Sequence, residues 1–240
     1  MKYMVKIVFV ISIVITILTS MTTCYANSSE PPSIIIIVSN APNDMDIKLN
    51  IGDKLINSVR TDKVMESYFS FYSFDFINDP NKYTIEMTIG DNKSIIKLEK
   101  PLKSYDNVYT LNYKEKTIIT GKAPFRAIKL IVLRVLFTLI VEASIFFLFG
   151  FRKKKSWTIF LIVNLITQGV LNILLNTSTP INSYLILGLI FGEIIILIIE
   201  LIAFLVLIKE KSKLKTAAYV VVANLLSLVV GGYLITKLPI

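Results

Sequence analysis

Residues Leu136 to Gln168 read LFTLIVEASIFFLFGFRKKKSWTIFLIVNLITQ, two apolar runs on either side of Arg152, Lys153, Lys154 and Lys155. A helix needs roughly 20 apolar residues to cross ~30 Å of hydrocarbon, and a charged connection between two such helices belongs in water. The stretch therefore reads as a membrane-crossing helical hairpin with a basic turn. Working outward, four runs are long enough to span, at 127–150, 156–175, 184–208 and 216–236. Lys209, Lys211, Lys213 and Lys215, with Glu210, fill the connection after the third run, while Asn176 to Ser183 carries no charge. Lys and Arg concentrate in cytoplasmic loops. Loops 151–155 and 209–215 are thus predicted to be cytoplasmic, with residues 27–126 and the C-terminus extracytoplasmic, in a multi-pass protein of the plasma membrane.

The other end of the chain agrees with that orientation. Lys2 and Lys6 precede an apolar run from Ile7 to Leu18, then Cys24-Tyr25-Ala26. A positive start, a short apolar core and a small residue at the cut predict a signal peptide over 1–26. An acylated Cys24 is the alternative, but Thr23 stands where a lipoprotein signal wants Gly or Ala.

Between the two lies a β-rich region, 27–121. Ile47, Leu49 and Ile51 alternate with Asp46, Lys48 and Asn50; Tyr83, Ile85, Met87 and Ile89 alternate with Thr84, Glu86 and Thr88. Gly90-Asp91-Asn92 then turns the chain toward Ile96 and Leu98. Alternation of this kind marks strands with one face on a core. About seven short strands predict a small β-sandwich, immunoglobulin-like in arrangement, so the fold class is an α+β membrane protein. Tyr68, Phe69, Phe71, Tyr72, Phe74 and Phe76 put aromatics on both faces of one strand. That strand is either covered on both sides or presents a binding surface.

Composition narrows the chemistry. The chain contains no His, and Cys24 is its only Cys. Imidazole bases, Cys–His and Ser–His–Asp catalysis, and the usual zinc or haem ligand sets are excluded, and no cofactor or metal site is predicted. Residues 27–125 carry a net charge of −1 and residues 126–240 a net charge of +8. The basic excess belongs to the membrane half and calls for a lipid bilayer, not a nucleic acid.

The helices also carry polar faces. Arg134 and Glu142 lie on the first, Glu193 and Glu200 on the third. Asn164, Thr167, Gln168 and Asn172 lie on the second, Asn224 and Ser227 on the fourth. Their spacings of three, four, seven and eight put each set on about one helix face. Lipid cannot satisfy such groups, so the faces should turn into a bundle. Rise per residue predicts an outer Arg134–Glu193 ion pair and an inner layer of Glu142, Glu200, Asn164 and Asn224. Two carboxylates in one apolar layer cannot both stay ionised cheaply, so at least one is expected to hold a proton. The layer also reads as part of a repeat. Ile140-Val141-Glu142 with Phe146 matches Ile198-Ile199-Glu200 with Phe204, and Ser156 with Asn164 matches Thr216 with Asn224.

On Phe149-Gly150-Phe151-Arg152-Lys153-Lys154, Asn164-Leu165-Ile166-Thr167-Gln168, Glu193, Glu200 and Ala223-Asn224-Leu225-Leu226-Ser227, the chain resembles uncharacterised multi-pass membrane proteins of Gram-positive bacteria. The resemblance implies the same architecture and no particular activity. Three functions fit. The first is an envelope binding or sensing module, with an envelope or membrane-protein partner, coupled to the polar-cored bundle. The second is transport of a proton or small cation through the core, for which four helices per protomer suggest an oligomer. The third is an intramembrane enzyme using Glu142 and Glu200 as acid and base, for which no motif speaks. Against all three stands a purely structural role, in which the polar layer only fixes helix register.

Overall fold

The computed structural model of the chain describes residues 31–52, 54–73, 83–98, 106–177 and 185–239. The signal peptide with Cys24, the aromatic residues Phe74 and Phe76, and most of the uncharged 176–183 connection lie outside them. The chain forms two compact units, one of residues 27–128 with 237–240, the other containing 129–236.

The first unit is a two-layer β structure. Its strands are β1 (Ser33–Ser39), β2 (Met45–Ile51), β3 (Lys54–Asn57), β4 (Val59–Asp62), β5 (Glu66–Tyr72), β6 (Tyr83–Ile89), β7 (Asn92–Lys97), β8 (Asp106–Asn112) and β9 (Thr117–Thr120). One sheet has the order β4-β5-β1-β8-β9 and the other β3-β2-β6-β7. Ile34, Ile36, Val38, Phe69 and Phe71 from the first sheet and Ile47, Leu49, Ile85 and Met87 from the second form one buried cluster. The alternating residues of β2 and β6 thus supply the core side of their sheet, while Asp46, Lys48 and Glu86 form its polar side. Gly90 bridges β6 and β7 at φ +55°, a conformation that costs glycine little.

The strand order departs from the seven-stranded, immunoglobulin-like arrangement expected. Nine strands are present among the described residues, and β1 runs parallel to β8, with Ile36 opposite Tyr109. The two additional short strands have physical reasons. The chain leaves one sheet after β3 and enters the other at β4, splitting one apparent strand at Ser58. Strand β9 is short and largely exposed, so it lacks a clean alternation. Arg60 on β4 ties the two sheets together at this end, donating to the carbonyls of Pro42, Asn43 and Met45.

Both faces of β1 and β5 are buried. Ile35, Ile37 and Tyr68 are as inaccessible as Ile34, Ile36 and Phe69. The described part of the aromatic stretch is therefore an inner strand covered on both sides, and only Tyr72 of its described aromatics reaches the surface. On the face away from the core, Glu66 accepts two bonds from Arg126 Nε at 2.8 and 3.0 Å and one from Nη2 at 2.7 Å. The same Nη2 donates to the Tyr68 hydroxyl at 3.1 Å. Both charges are almost fully buried.

The second unit consists of α1 (Arg126–Leu148), α2 (Lys154–Thr177), α3 (Leu185–Leu207) and α4 (Lys213–Lys237), with Arg126 to Ile128 grouped with the sheets. All four helices are long and apolar enough to cross a membrane. Helix α4 begins three residues before the apolar run because Ser212 caps it, its hydroxyl accepting from the Lys215 backbone N–H at 3.3 Å.

Removing one partner of a buried ion pair strands the other charge, at about 3 kcal/mol or more. Glu66→Gln in the full-length protein is therefore expected to lower unfolding stability by that order. The expectation fails if denaturant or thermal unfolding in detergent shows no loss.

Candidate functional site

The site grows from the two connections of the helical unit. Helix α1 stops at Gly150, whose φ of +83° turns the chain. The Gly150 N–H bonds to the Phe147 carbonyl and the Phe151 N–H reaches back to the Phe146 carbonyl. This pair of bonds satisfies carbonyls at the helix end and brings the flanking apolar residues together. Phe146 and Phe151 accordingly stack, with ring centroids 4.2 Å apart. The other connection supplies Glu210, which accepts from the backbone N–H groups of Arg152 at 2.7 Å and of Lys153 at 3.1 Å. Lys153 has no capping side chain of its own, so a carboxylate from the second hairpin caps α2 of the first, where helix polarity favours an anion. Partial burial works against the Glu210 charge. The nearby Ser156 hydroxyl, the two backbone donors and the Lys153 ammonium outweigh it and hold the carboxyl below its usual range.

One turn further into the unit lies an aromatic layer. Tyr219 packs at 5.0 Å from Phe146, 5.6 Å from Phe151 and 5.8 Å from Phe204, and Phe160 stacks on Phe146 at 4.9 Å. All are buried. Four residues along each helix from this layer come Glu142, Glu200, Asn164 and Ala223, with Asn224 beside it. The aromatic layer thus separates the carboxylates from the loop end.

In the next layer Glu200 is fully engaged. Thr167 Oγ1 donates to Oε1 at 2.7 Å and Asn224 Nδ2 to Oε2 at 2.8 Å. Glu142 is wholly buried, and neither of its oxygens has a hydrogen-bond partner among the described residues. Ser227 faces it without reaching hydrogen-bond geometry, and the charges of Glu200 and Glu193 lie within range. The two asparagines behave alike toward their own helices, Asn164 donating to the Phe160 carbonyl at 2.8 Å and Asn224 to the Val220 carbonyl at 3.0 Å. They differ in what else they meet. Asn224 bonds Glu200, whereas Asn164 lies beside the Tyr219 hydroxyl. Buried Oδ1 atoms of both lack a donor.

Away from the loops, Gln168 faces Glu193. Arg134 and Glu193 line the same narrow cavity together with Thr138, Gln168 and Asn172. Its free space suits about one water. Glu193 meets Gln168 and the Glu200 charge there, not the ion-pair partner expected from depth. Arg134 and Glu193 reach one cavity, but among the described residues no ion pair forms between them, and Gln168 on α2 is the neighbour of the Glu193 carboxyl. Gly192, next in the chain, packs against the end of the Leu171 side chain, which would have to shift to admit a Cβ there.

All ten polar residues singled out on the helices are therefore buried. Glu200 and Asn224 are bonded, Ser227 adjoins Glu142, Gln168 adjoins Glu193, and Arg134 shares the cavity. Thr167 proves to be a direct partner of Glu200, and Tyr219 and Glu210 belong to the site although neither was singled out. Tyr219 had a signal, since it sits three residues after Thr216 and eight before Ser227, close to their face of the helix. Glu210 had none, because a carboxylate in a basic loop reads as a solvated charge.

Because its carboxyl is held low in the folded state, Glu210 stabilises the protein above the unfolded pKa of about 4.3, and that contribution is lost as pH falls through the folded value. Wild type should therefore exceed Glu210→Gln in stability at pH 7, with the difference vanishing toward pH 3. A gap that stays constant over this range in thermal unfolding would refute the capping role. Comparison with protein-family models, with curated proteins and with solved structures returns no match for this chain.

Proposed function

We propose that this chain is a multi-pass membrane protein whose four-helix unit binds a proton or small cation at the Glu142–Glu200 layer and carries it across part of the bilayer. One observation supports this reading above the rest. The layer holds buried oxygen atoms without donors, both oxygens of Glu142, Oδ1 of Asn164 and Asn224, and Ser227 Oγ. An ionised carboxylate in an apolar interior is stable only when charges or donors answer it. Oxygens left over in such numbers suit a positive ligand, and ionisable groups inside spans mark proton and ion pathways. The Gln168, Glu193 and Arg134 cavity extends the polar track away from the loops, while the aromatic layer closes it on the loop side. With the basic loops in the cytoplasm, the open side of the track faces the exterior.

The reading of the β unit as an envelope binding module has a different surface to rest on, since Tyr68, Phe69 and Phe71 are buried. Its charged outer face, with the Lys93–Glu86 pair at 2.8 Å, is the accessible one.

Reconstitution into proteoliposomes tests transport. Wild type should dissipate an imposed proton or sodium gradient faster than protein-free vesicles. Glu142→Gln combined with Glu200→Gln should abolish that flux in protein that is still folded by circular dichroism. Equal flux from wild type and the double variant would reject the proposal.

A further inference from the structure

The two hairpins repeat one another, and the place where the repeat fails assigns unequal roles to the two carboxylates. Equivalent residues are 58 apart in α1 and α3 and 60 apart in α2 and α4, pairing Glu142 with Glu200, Phe146 with Phe204, Asn164 with Asn224 and Thr167 with Ser227. The contacts repeat as well. Thr167 of the first hairpin donates to Glu200 of the second, and Ser227 of the second faces Glu142 of the first. In a fully repeated structure Asn164 would donate to Glu142 as Asn224 donates to Glu200. It does not, and the residue beside it is Tyr219, whose counterpart in the first hairpin is Ile159. A phenol hydroxyl stands where the other half has only a hydrocarbon.

We propose that Glu142 is the loading carboxylate of the layer, taking one proton or one alkali cation. Glu200 is the fixed acceptor, and Tyr219 is the positioning residue that keeps Asn164 from satisfying Glu142. This rests on the reading of the layer as a cation or proton site. Glu200 already has one donor on each oxygen and gains least from a further ligand. Glu142 has none among the described residues and gains most. The ligand is monovalent on the same grounds. A divalent ion takes six or more oxygens and commonly several carboxylates, and among the described residues no three acidic groups converge to hold a metal. The groups facing Glu142 are Glu200 and Glu193 on α3 and Tyr219 and Ser227 on α4. On α2 the neighbouring layer residues are the neutral Asn164 and Thr167. Among the described groups that face Glu142 there is no cation to compete with a bound ligand.

Reaction with dicyclohexylcarbodiimide tests this on purified wild-type protein in detergent, without any transport assay. The reagent adds whole to a protonated buried carboxyl. The acid proton moves to a reagent nitrogen, the carboxylate oxygen bonds to the central carbon, and rearrangement leaves a stable acylurea that peptide mass spectrometry locates. The adduct should form on Glu142 at least about tenfold faster than on Glu200, the difference that hydrogen bonds of ordinary net strength make in an equilibrium. It should form faster at pH 6 than at pH 8. Slowing by sodium or lithium chloride, but not by choline chloride, identifies an alkali cation as ligand; indifference to all three identifies the proton. Tyr219→Phe keeps the ring in the aromatic layer and frees Asn164, so it should slow Glu142 labelling about tenfold. Preferential or equal labelling of Glu200, or no pH-dependent adduct on either residue, overturns the assignment of Glu142. Unchanged labelling in Tyr219→Phe overturns the role of Tyr219. Absent flux with selective Glu142 labelling would reject transport and leave the loading site standing.

Discussion

An apolar interior offers no hydrogen bonds, and the helical unit is organised by that lack. Every polar side chain on its four apolar helices must find its partner on another helix or on its own backbone. The node that meets this demand is Glu200, which joins α2 through Thr167 and α4 through Asn224 to its own helix α3. Three helices are thereby fixed in level and in rotation at one point. Helix α1 enters the same layer through Glu142, and there the accounting does not close. A structure that satisfied register alone would have closed it, since Asn164 lies in the same layer and instead donates to the Phe160 carbonyl of its own helix. The mismatch is local, and it falls on the carboxylate that has no hydrogen-bond donor among the described residues.

The repeat gives this mismatch its meaning. Two hairpins with matching Glu, Asn and Ser/Thr positions would be expected to treat their carboxylates alike. They instead diverge at a few places, Tyr219 against Ile159, Gln168 against Leu228, Glu193 against Val135 and Arg134 against Gly192. Each divergence puts a polar group on one side and a small or apolar one on the other. A shared scaffold with unshared polar groups gives a layer of near-equivalent positions in unequal states, which a packing role for the polar groups would not require.

Much of this could be read before any coordinates. The four apolar runs and the burial of their polar faces follow from length and helical period, and both survive at the level of single residues. The sequence also showed the alternation of β2 and β6. What it hid were relations set by direction in space. The parallel pairing of β1 with β8 leaves no local mark, because a fully buried strand such as Ser33–Ser39 is apolar at nearly every position whichever way its neighbours run. The break at Ser58 looks like any polar residue in a strand. Arg134 and Glu193 share a cavity, yet among the described residues they form no ion pair, which depth alone could not reveal. Tyr219 was legible as a member of a polar face, yet an aromatic on an apolar helix suggests packing first, and here it does both.

The Glu210 cap has a mechanical meaning beyond its contribution to stability. It joins the loop of one hairpin to the start of a helix in the other through two backbone donors on adjacent residues. Such a joint resists separation while tolerating small changes of angle. If the hairpins rock against each other when a charge enters or leaves the layer, the loop end is the fulcrum. Displacement then grows with distance from it, small at the aromatic layer and largest at the far ends of the helices. A ligand bound at Glu142 would then be felt most at those far ends.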